Sequence, residues 1–335
     1  MNPEISVILP VHNAGNYLEE AVKSILNQSF RNLELILIDD HSKDGAVERL
    51  SAVWKEDRRL RILSSPSRGI VQALNFGAAA AEGNFIARMD ADDISHVDRF
   101  KIQMEYFKNN PEIGIVSARV EIFRDDCHPD KGFQIYEDWL NRLCTPEDIQ
   151  KEIFIESPLP HPTVILRRSV WDSLGGYRDV SWPEDYDLWL RAYLNGILMG
   201  KPDEILLKWR DHTGRLTRTD SRYSQKSFLK AKAHFLARSH LRDRAALICG
   251  TGSNGMQIYD FLTEEGCEVQ AFVDVSPSMI GKMKRSLPVL GAEILLEPLT
   301  SLILGTVGSR GEREKLRNFL VEAGKTEGRD FLFAV

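Results

Sequence analysis

The chain has 335 residues, 43% apolar and 27% charged, with a formal net charge of −6. That length suffices for two ordinary domains, and the acidic balance argues against a general nucleic-acid binder. Cys127, Cys144, Cys249 and Cys267 are scattered without a Cys-x-x-Cys pair, so neither a zinc site nor a disulfide framework is expected, and a reducing cytoplasm is the natural setting. No apolar stretch approaches the ~20 residues that span a bilayer. The chain enters a strand within its first residues, which predicts no secretory leader. A membrane role would therefore be peripheral, at the inner face.

Residues 4–10, rich in Ile and Val, read as a first strand, followed by the polar turn His12-Asn13-Ala14-Gly15-Asn16. Leu18, Ala21, Val22, Ile25 and Leu26 recur at helical spacing, so a helix lays one face on the sheet. The apolar run over 33–38 is a second strand and ends in Asp39-Asp40; the turn Ser42-Lys43-Asp44-Gly45 then opens a helix. A short strand over 60–63, a helix over 69–81 and a strand over 84–89 follow, the last ending in Asp90-Ala91-Asp92-Asp93. A helix over 97–109 and a strand over 114–118 continue the alternation. That βαβα pattern predicts an α/β fold with a doubly wound, mostly parallel sheet. Residues 120–160 show turns and an amphipathic stretch near 147–155. Further on come a strand over 162–166, a helix over 184–194, a strand over 206–210 and the loop Asp211-His212-Thr213-Gly214.

From 218 to 244 the composition turns basic, with Arg222, Lys226, Lys230, Lys232, Arg238, Arg242 and Arg244 beside Phe228, Leu229, Phe235 and Leu236. This stretch reads as a helical connector whose charges form a solvated face. A separate βαβ unit begins at Ala245. The expected division is 1–217, a connector over 218–243, and a second α/β domain over 244–335. There Gly250-x-Gly252-x-x-Gly255 follows a strand and opens a helix, and Asp274 ends the next strand. That is the dinucleotide fingerprint in context, with Gly250, Gly252, Gly255 and Asp274 as candidate ligand contacts. A structural role for those glycines, or a role for the domain in assembly as a homo-oligomer, stands level with ligand binding.

In an open α/β sheet the ligand crevice lies beyond the carboxyl ends of the strands. Two acidic clusters, at 39–40 and 90–93, should therefore converge there. Carboxylates so placed repel one another unless a cation or a hydrogen-bonding ligand joins them. Asp39 reads as a turn cap and Asp44 as a helix-start residue, but three carboxylates within four residues at 90–93 exceed what capping needs.

The pieces Pro10-Val11-His12-Asn13-Ala14, Asp39-Asp40-His41-Ser42-Lys43-Asp44-Gly45, Arg68-Gly69-Ile70, Ala73-Leu74-Asn75-Phe76-Gly77, Asp90-Ala91-Asp92-Asp93 and Glu184-Asp185 occur in order. Together they resemble glycosyltransferase family 2, over roughly residues 4–215. The resemblance implies a GT-A fold and an inverting, metal-dependent transfer from a nucleotide-diphosphate sugar, with a UDP-sugar favoured, to a glycan or lipid-linked acceptor in surface polysaccharide or glycoconjugate synthesis. By the same resemblance Asp92 holds Mn²⁺ or Mg²⁺ directly and Asp90 meets the ribose or the metal, with Asp93 completing the cluster and His212 a further metal or phosphate contact. Pro10, His12, Asn13, Asp40, Arg68 and Asn75 surround the nucleotide, Asn75 as a brace of its helix against the nucleotide loop. His12 stands where tyrosine is common in the family. The family places an acidic general base near residue 184, which implies Asp185, with Glu184 as runner-up, while Asp187 reads as an ordinary first-turn acid. The Gln-x-x-Arg-Trp signature of processive synthases is absent; Leu188-Trp189-Leu190-Arg191 stands there, which favours single-sugar transfer. The C-terminal part resembles, more weakly, the Rossmann-like nucleotide-sugar-binding domain of bacterial sugar acyltransferases. Competing readings are a sugar nucleotidyltransferase, disfavoured by the missing glycine- and lysine-rich phosphate loop after the first strand, and a nucleotide-sugar-binding or scaffolding protein without turnover.

Overall fold

A computed structural model describes residues 2–126, 131–309 and 311–335; Cys127 lies outside them. The chain divides into two compact units, one of Met1–Ile149, Pro158–Val180 and Glu184–Arg215, the other of Gln150–Ser157, Ser181–Pro183 and Leu216–Val335.

Strands of the first unit are β1 (Ile5–Val11), β2 (Leu33–Asp39), β3 (Leu60–Ser64), β4 (Phe85–Arg88), β5 (Ile94–Ser95), β6 (Ile113–Val116), β7 (Arg119–Phe123), β8 (Ile165–Arg167), β9 (Leu198–Gly200) and β10 (Ile205–Arg210). Seven form one sheet in the order β3-β2-β1-β4-β8-β6-β9, while β5-β10-β7 form a second. In the large sheet β1 pairs in parallel with both β2 and β4, and β8 runs antiparallel between β4 and β6. Every residue of β1 is buried, as expected for a parallel strand covered on both faces, and this explains its unbroken apolar sequence. Pro10 is tolerated there because β1 pairs with β4 only as far as Ile8. Its missing N–H falls past the last partner on that side. The sheet is thus the mixed, mostly parallel α/β arrangement expected.

Helix Tyr17–Leu26 buries Leu18, Ala21, Val22, Ile25 and Leu26, the stripe its spacing predicted, against the sheet. The strand expected over 162–166 starts only at Ile165, because His161–Thr163 form a single 3₁₀ turn. Pro162 suits that turn, having no N–H to give to a ladder. The uncertain 120–160 region holds the end of β7, helix Lys131–Arg142 and helix Pro146–Glu152.

The second unit carries β11 (Ala246–Cys249), β12 (Val269–Val273), β13 (Met283–Lys284), β14 (Leu287–Leu290), β15 (Leu302–Gly305) and β16 (Phe331–Phe333), in the order β13-β14-β12-β11-β15-β16. All neighbours except the β13–β14 pair are parallel. The strand order reverses between β11 and β15, the Rossmann-like arrangement. Helix Gln225–Ala237 belongs to this unit. Its charges are not all solvated, as had been expected. Lys232 is 3% exposed and donates to the carbonyls of Ile155 (2.6 Å) and Ala334 (3.1 Å), and burial pushes its pKa down to about 8. Among the described residues no helix is long and apolar enough to cross a membrane.

Candidate active site

The turns after β1 and β2 are tied together by side-chain hydrogen bonds. The Gly15 N–H donates to Asp44 (2.7 Å), whose other oxygen accepts from the Ala46 N–H (3.1 Å) at the start of helix Ala46–Trp54. Asp39 accepts from the Ser42 N–H (3.0 Å) and caps its turn. Asn13, in a left-handed conformation (φ 53°), accepts from the Lys43 N–H (2.8 Å). The His12 ring is fixed in the same frame. Its Nδ1 lies 2.6 Å from the Asp40 carbonyl and must carry the proton, so Nε2 accepts from Arg68 and Asn13, both at 3.1 Å. Asp40 is buried, and both its carboxylate oxygens accept from the Gly69 N–H, at 3.1 and 3.0 Å. Gly69, at φ 121°, adopts a backbone that other residues rarely reach. One shared N–H leaves Asp40 with lone pairs to spare. Pro10, His12, Asn13, Asp40 and Arg68 therefore lie in one frame at the carboxyl ends of β1 and β2.

Asn75 does not join it. Its amide donates to the Tyr177 carbonyl (2.9 Å), and its oxygen accepts from the Tyr177 N–H (3.0 Å). It braces helix Ile70–Ala80 against the turn at Gly176 rather than against the nucleotide loop. The physical reason is complementarity: a carboxamide matches a free peptide edge with one donor and one acceptor.

Beyond β4, one carboxylate oxygen from each of Asp90, Asp92 and Asp93 lies within 4.8 Å of the others. Each acid has a different partner. Asp90 is bonded by Arg88, Asp92 lies 2.8 Å from His212 Nε2, and Asp93 accepts from the Arg210 N–H at 2.8 Å. The second oxygen of Asp93 is buried and has no hydrogen-bond partner. Burial and then the charges of Asp92 and Asp90 push the Asp93 pKa well up. Burial raises Asp90 too, with Arg88 opposing. Burial acts upward on Asp92 most strongly, but the His212 hydrogen bond, the Arg215 charge and the neighbouring imidazole and backbone N–H together outweigh it, and the pKa is lowered. Hard oxygens, an unpartnered buried oxygen and mutual repulsion make this a donor set that fits Mg²⁺ or Mn²⁺. His212 stands beside the acids rather than among them. Its Nδ1 accepts from the Gly214 N–H (3.2 Å), so Nε2 carries a proton directed at Asp92.

Arg210, at the end of β10, clamps this turn from behind. Its Nε donates to the Asp92 carbonyl (2.7 Å), its guanidinium pairs with Glu20 (2.5 Å) and with Asp125, and the rings of Tyr17 and Phe123 face it at 4.5 and 4.6 Å. The pairing of β10 with β5 brings Arg210 to Asp93. Sequence reasoning passed over Arg210 and Arg88. For Arg88 the one available signal was a lone arginine at the end of an otherwise apolar strand; β10 also carries Lys208, so Arg210 gave none.

Glu184 and Asp185 open helix Glu184–Leu194. Asp185 is half-buried and accepts from the Tyr186 N–H (2.7 Å). Burial, then the neighbouring Glu184 charge, push its pKa up to about 8, against the pull of that N–H and of Arg88. Glu184 is 2% exposed, 3.9 Å from His161 Nδ1. His161 Nε2 meets the Tyr177 hydroxyl at 2.6 Å, and burial followed by the Arg88 charge drives the imidazole pKa well down, so the ring stays neutral. Asp187 is taken by Arg178 (2.9 Å) and Arg191 (2.8 Å), a structural ion pair.

In the second unit Gly250, Gly252 and Gly255 lie at the carboxyl end of β11 and the start of helix Ser253–Glu264. A Cβ on Gly255 would sit 2.1 Å from the Gly250 carbonyl oxygen, so this glycine is required for helix and strand to meet. Asp274 lies alongside, but its carboxylate accepts from Thr251 and from the Ser276 N–H (2.9 Å). These bonds outweigh burial and lower its pKa. The fingerprint residues come together, and their contacts here are with one another.

Comparison with known proteins agrees with this geometry. The family model for glycosyl transferase family 2 matches residues 6–175. An uncharacterized glycosyltransferase of Haemophilus influenzae is 32% identical over 215 residues, 63% of this chain and 66% of that protein. The putative glycosyltransferase EpsE of Bacillus subtilis is 32% identical over 227 residues, 66% of this chain and 78% of its own length. Among solved structures, S. aureus TarS 1–349 in complex with UDP-GlcNAc superposes with a TM-score of 0.57 at 18% identity, covering 78% of this chain and 72% of that one. The mannosyltransferase PcManGT of Pyrobaculum calidifontis, in complex with GDP-Man and Mn²⁺, gives 0.50 at 18% identity, over 79% and 70%. At such identities the structures speak for the GT-A fold alone. The family match, covering half the chain, makes this protein a glycosyltransferase of family 2.

Proposed function

We propose that the first unit performs inverting transfer of one sugar from a nucleotide-diphosphate sugar, with UDP-sugars favoured, to a hydroxyl of a glycan or lipid-linked acceptor. Surface polysaccharide or glycoconjugate synthesis is the setting that suits such an acceptor. The observation that carries the reading is the Asp90, Asp92 and Asp93 cluster with its unpartnered buried oxygen; Asp185, a separate carboxylate of raised pKa, is the base that the reading assigns. Asp92 and Asp90 would hold Mn²⁺ or Mg²⁺, whose charge would neutralise the departing diphosphate. His212 supports Asp92 through its Nε2, and a contact with the phosphate or the ion is the further role that the reading assigns to it. The nucleoside fits the frame of His12, Asn13, Asp40 and Arg68: a base lies against the His12 ring, and Asp40 accepts from its imino N–H or from the ribose.

Asp185, once ionised, takes the proton of the acceptor hydroxyl. The freed oxygen pair forms the new bond to the anomeric carbon, while the bond to the phosphate oxygen breaks and its electron pair leaves with the nucleoside diphosphate. Attack opposite the leaving group inverts the anomeric configuration. The test is a panel of UDP- and GDP-sugars with Mn²⁺, followed by thermal shift and by nucleoside diphosphate release. The reading predicts metal-dependent stabilisation by at least one donor and loss of release in Asp92→Asn. Release that persists in full in the presence of a chelator would refute it. PcManGT and TarS bind GDP-Man with Mn²⁺ and UDP-GlcNAc respectively, which supports including both nucleotides.

A further inference from the structure

His161 opens the single 3₁₀ turn His161–Thr163 and is 9% exposed. Buried bonds fix that turn. Thr163 Oγ1 donates to the Pro160 carbonyl (2.7 Å) and accepts from the Ala118 N–H (3.2 Å), and Gln103 donates to the Thr163 carbonyl (2.8 Å). Three side chains surround the imidazole. The Tyr177 hydroxyl lies 2.6 Å from Nε2, the Trp189 ring stands edge-on at 6.1 Å, and a Glu184 oxygen lies 3.9 Å from Nδ1. Tyr177 is itself held, its peptide edge by Asn75 (2.9 and 3.0 Å) and its ring by Trp171 at 5.2 Å. Burial keeps the His161 ring neutral, and a neutral imidazole carries one N–H. A proton on Nε2 would leave the Nδ1 lone pair facing the Glu184 carboxylate. A proton on Nδ1 lets Tyr177 donate to Nε2 and turns the N–H toward Glu184, so both ring nitrogens meet a partner of the right sign. The 3.9 Å separation is longer than a hydrogen bond. The ring therefore acts on Glu184 as an oriented dipole, in a place from which water is largely excluded.

We infer that His161 is a positioning residue: locked by Tyr177, it fixes the Glu184 side chain and so holds the first turn of helix Glu184–Leu194 where Asp185 meets the acceptor hydroxyl. The inference rests on the assignment of Asp185 as base proposed above. Glu184 is 2% exposed, whereas Asp185, the next residue, is half-buried. One acid of the pair is thus turned into the protein and its neighbour toward solvent. The same turn is gripped at Asp187 by Arg178 and Arg191. A single point of attachment leaves a helical turn able to swing about it, and a second point, at Glu184, removes that freedom. Tyr177 acts at one remove, by deciding which ring nitrogen carries the proton. Placement matters at this site because a shift of about 1 Å in a catalytic group costs about 10²-fold in rate.

The experiment uses the full chain and the variants Tyr177→Phe, His161→Asn and His161→Ala. Nitrogen NMR of the native imidazoles, with the His161 signal identified by its loss in H161N, reads the tautomer without any variant having to stay active. The proton should sit on Nδ1, and Y177F, which removes only a hydroxyl, should mix the two tautomers. Nucleoside diphosphate release, with Mn²⁺ and the sugar nucleotide consumed fastest in the panel, reads the placement of the base. H161A should lower kcat by about 10²-fold and Y177F by about tenfold, with donor KM kept within about threefold. H161N should recover part of the H161A loss, because its amide returns an N–H to the place of Nδ1. In a Glu184→Gln background both H161A and Y177F should cost little further. A side chain that merely filled the core would lower the melting temperature and leave kcat intact well below it. An Nε2–H ring in the native chain, kcat unchanged in folded H161A and Y177F, or losses undiminished beside Glu184→Gln would each overturn the inference. The assignment of Asp185 as base fails separately, if Asp185→Asn keeps full turnover.

Discussion

Removing the carboxylate of Asp185 should have a large effect on turnover and a small one on folding. The side chain is half-buried, and its pKa is pushed up to about 8 by burial and Glu184. With a pKa of about 8, roughly one-tenth of the free enzyme carries the ionised base at about pH 7. Turnover per encounter should then rise close to tenfold per unit between about pH 6 and 7 and level off above about pH 8. Asp185→Asn keeps an oxygen for the Tyr186 N–H, which Asp185 now accepts at 2.7 Å, but supplies no proton acceptor. A general base is worth about 10²–10⁴-fold, or about 3–5 kcal/mol of barrier, so D185N should fall by that factor and lose the acidic limb. The assay is continuous nucleoside diphosphate release across the pH range, with Mn²⁺–UDP calorimetry showing that the donor site is intact. The stability of the chain supplies a second check on sign. A carboxylate whose folded pKa is raised makes no contribution below its unfolded pKa of about 4, and destabilises increasingly as pH climbs toward the folded value. D185N should therefore gain in melting temperature over the native chain at about pH 8 but not at about pH 4. A native profile flat across its acidic side, or D185N retaining more than about a tenth of turnover with the limb unchanged, would refute the assignment.

The acidic turn yields further tests. Asp93→Asn should stabilise the metal-free chain at neutral pH, because a buried carboxylate of raised pKa is being replaced by a neutral amide; it should also weaken Mn²⁺ binding, and the melting curves with and without the ion check both. Mn²⁺ with UDP at about one hundred times its dissociation constant should stabilise the native chain by about 2.7 kcal/mol, an effect that a chelator reverses and Asp92→Asn abolishes. Arg210→Met strands Glu20, Asp125 and the Asp92 carbonyl that Arg210 holds at 2.7 Å. Glu20 and Asp125 are about half exposed and can turn to water, so the cost comes mainly from the stranded Asp92 carbonyl and is about 1–3 kcal/mol, to be measured by denaturant unfolding. Gly255→Ala places a methyl 2.1 Å from the Gly250 oxygen, so it should destabilise by about 1–3 kcal/mol as overpacking, read by calorimetry of the full chain.

The donor side of the site was legible because its chemistry is local in sequence. Asp90, Asp92 and Asp93 are near neighbours at the end of one apolar run, and strand geometry delivers them to the crevice together. The same holds for Asp39 and Asp44, whose capping bonds close within three residues. Asn75 shows where that locality ends. Its helix was recognisable, but its partner Tyr177 lies 102 residues away, and an exposed-looking amide gives no hint of which peptide edge it will meet. His212 reaches Asp92 across 120 residues and was found only through family resemblance.

The buried cations expose the deeper limit. Arg88 and Arg210 are each buried at the end of a strand, so each had to possess a polar or anionic partner. What sequence could not supply was the identity of those partners, which for Arg210 depends on β10 pairing with β5 and for Arg88 on the turn after β4 returning Asp90 to it. A carboxylate cluster advertises itself by number, whereas a single arginine is silent until topology says what it neutralises. Arg88 is bonded to Asp90, and Arg210 is committed by its neutral and acidic partners to holding the turn. Each arginine thus holds part of the acidic turn in place, Arg88 through Asp90 and Arg210 through the Asp92 carbonyl, and substitution of either should alter function through acids it leaves in the chain.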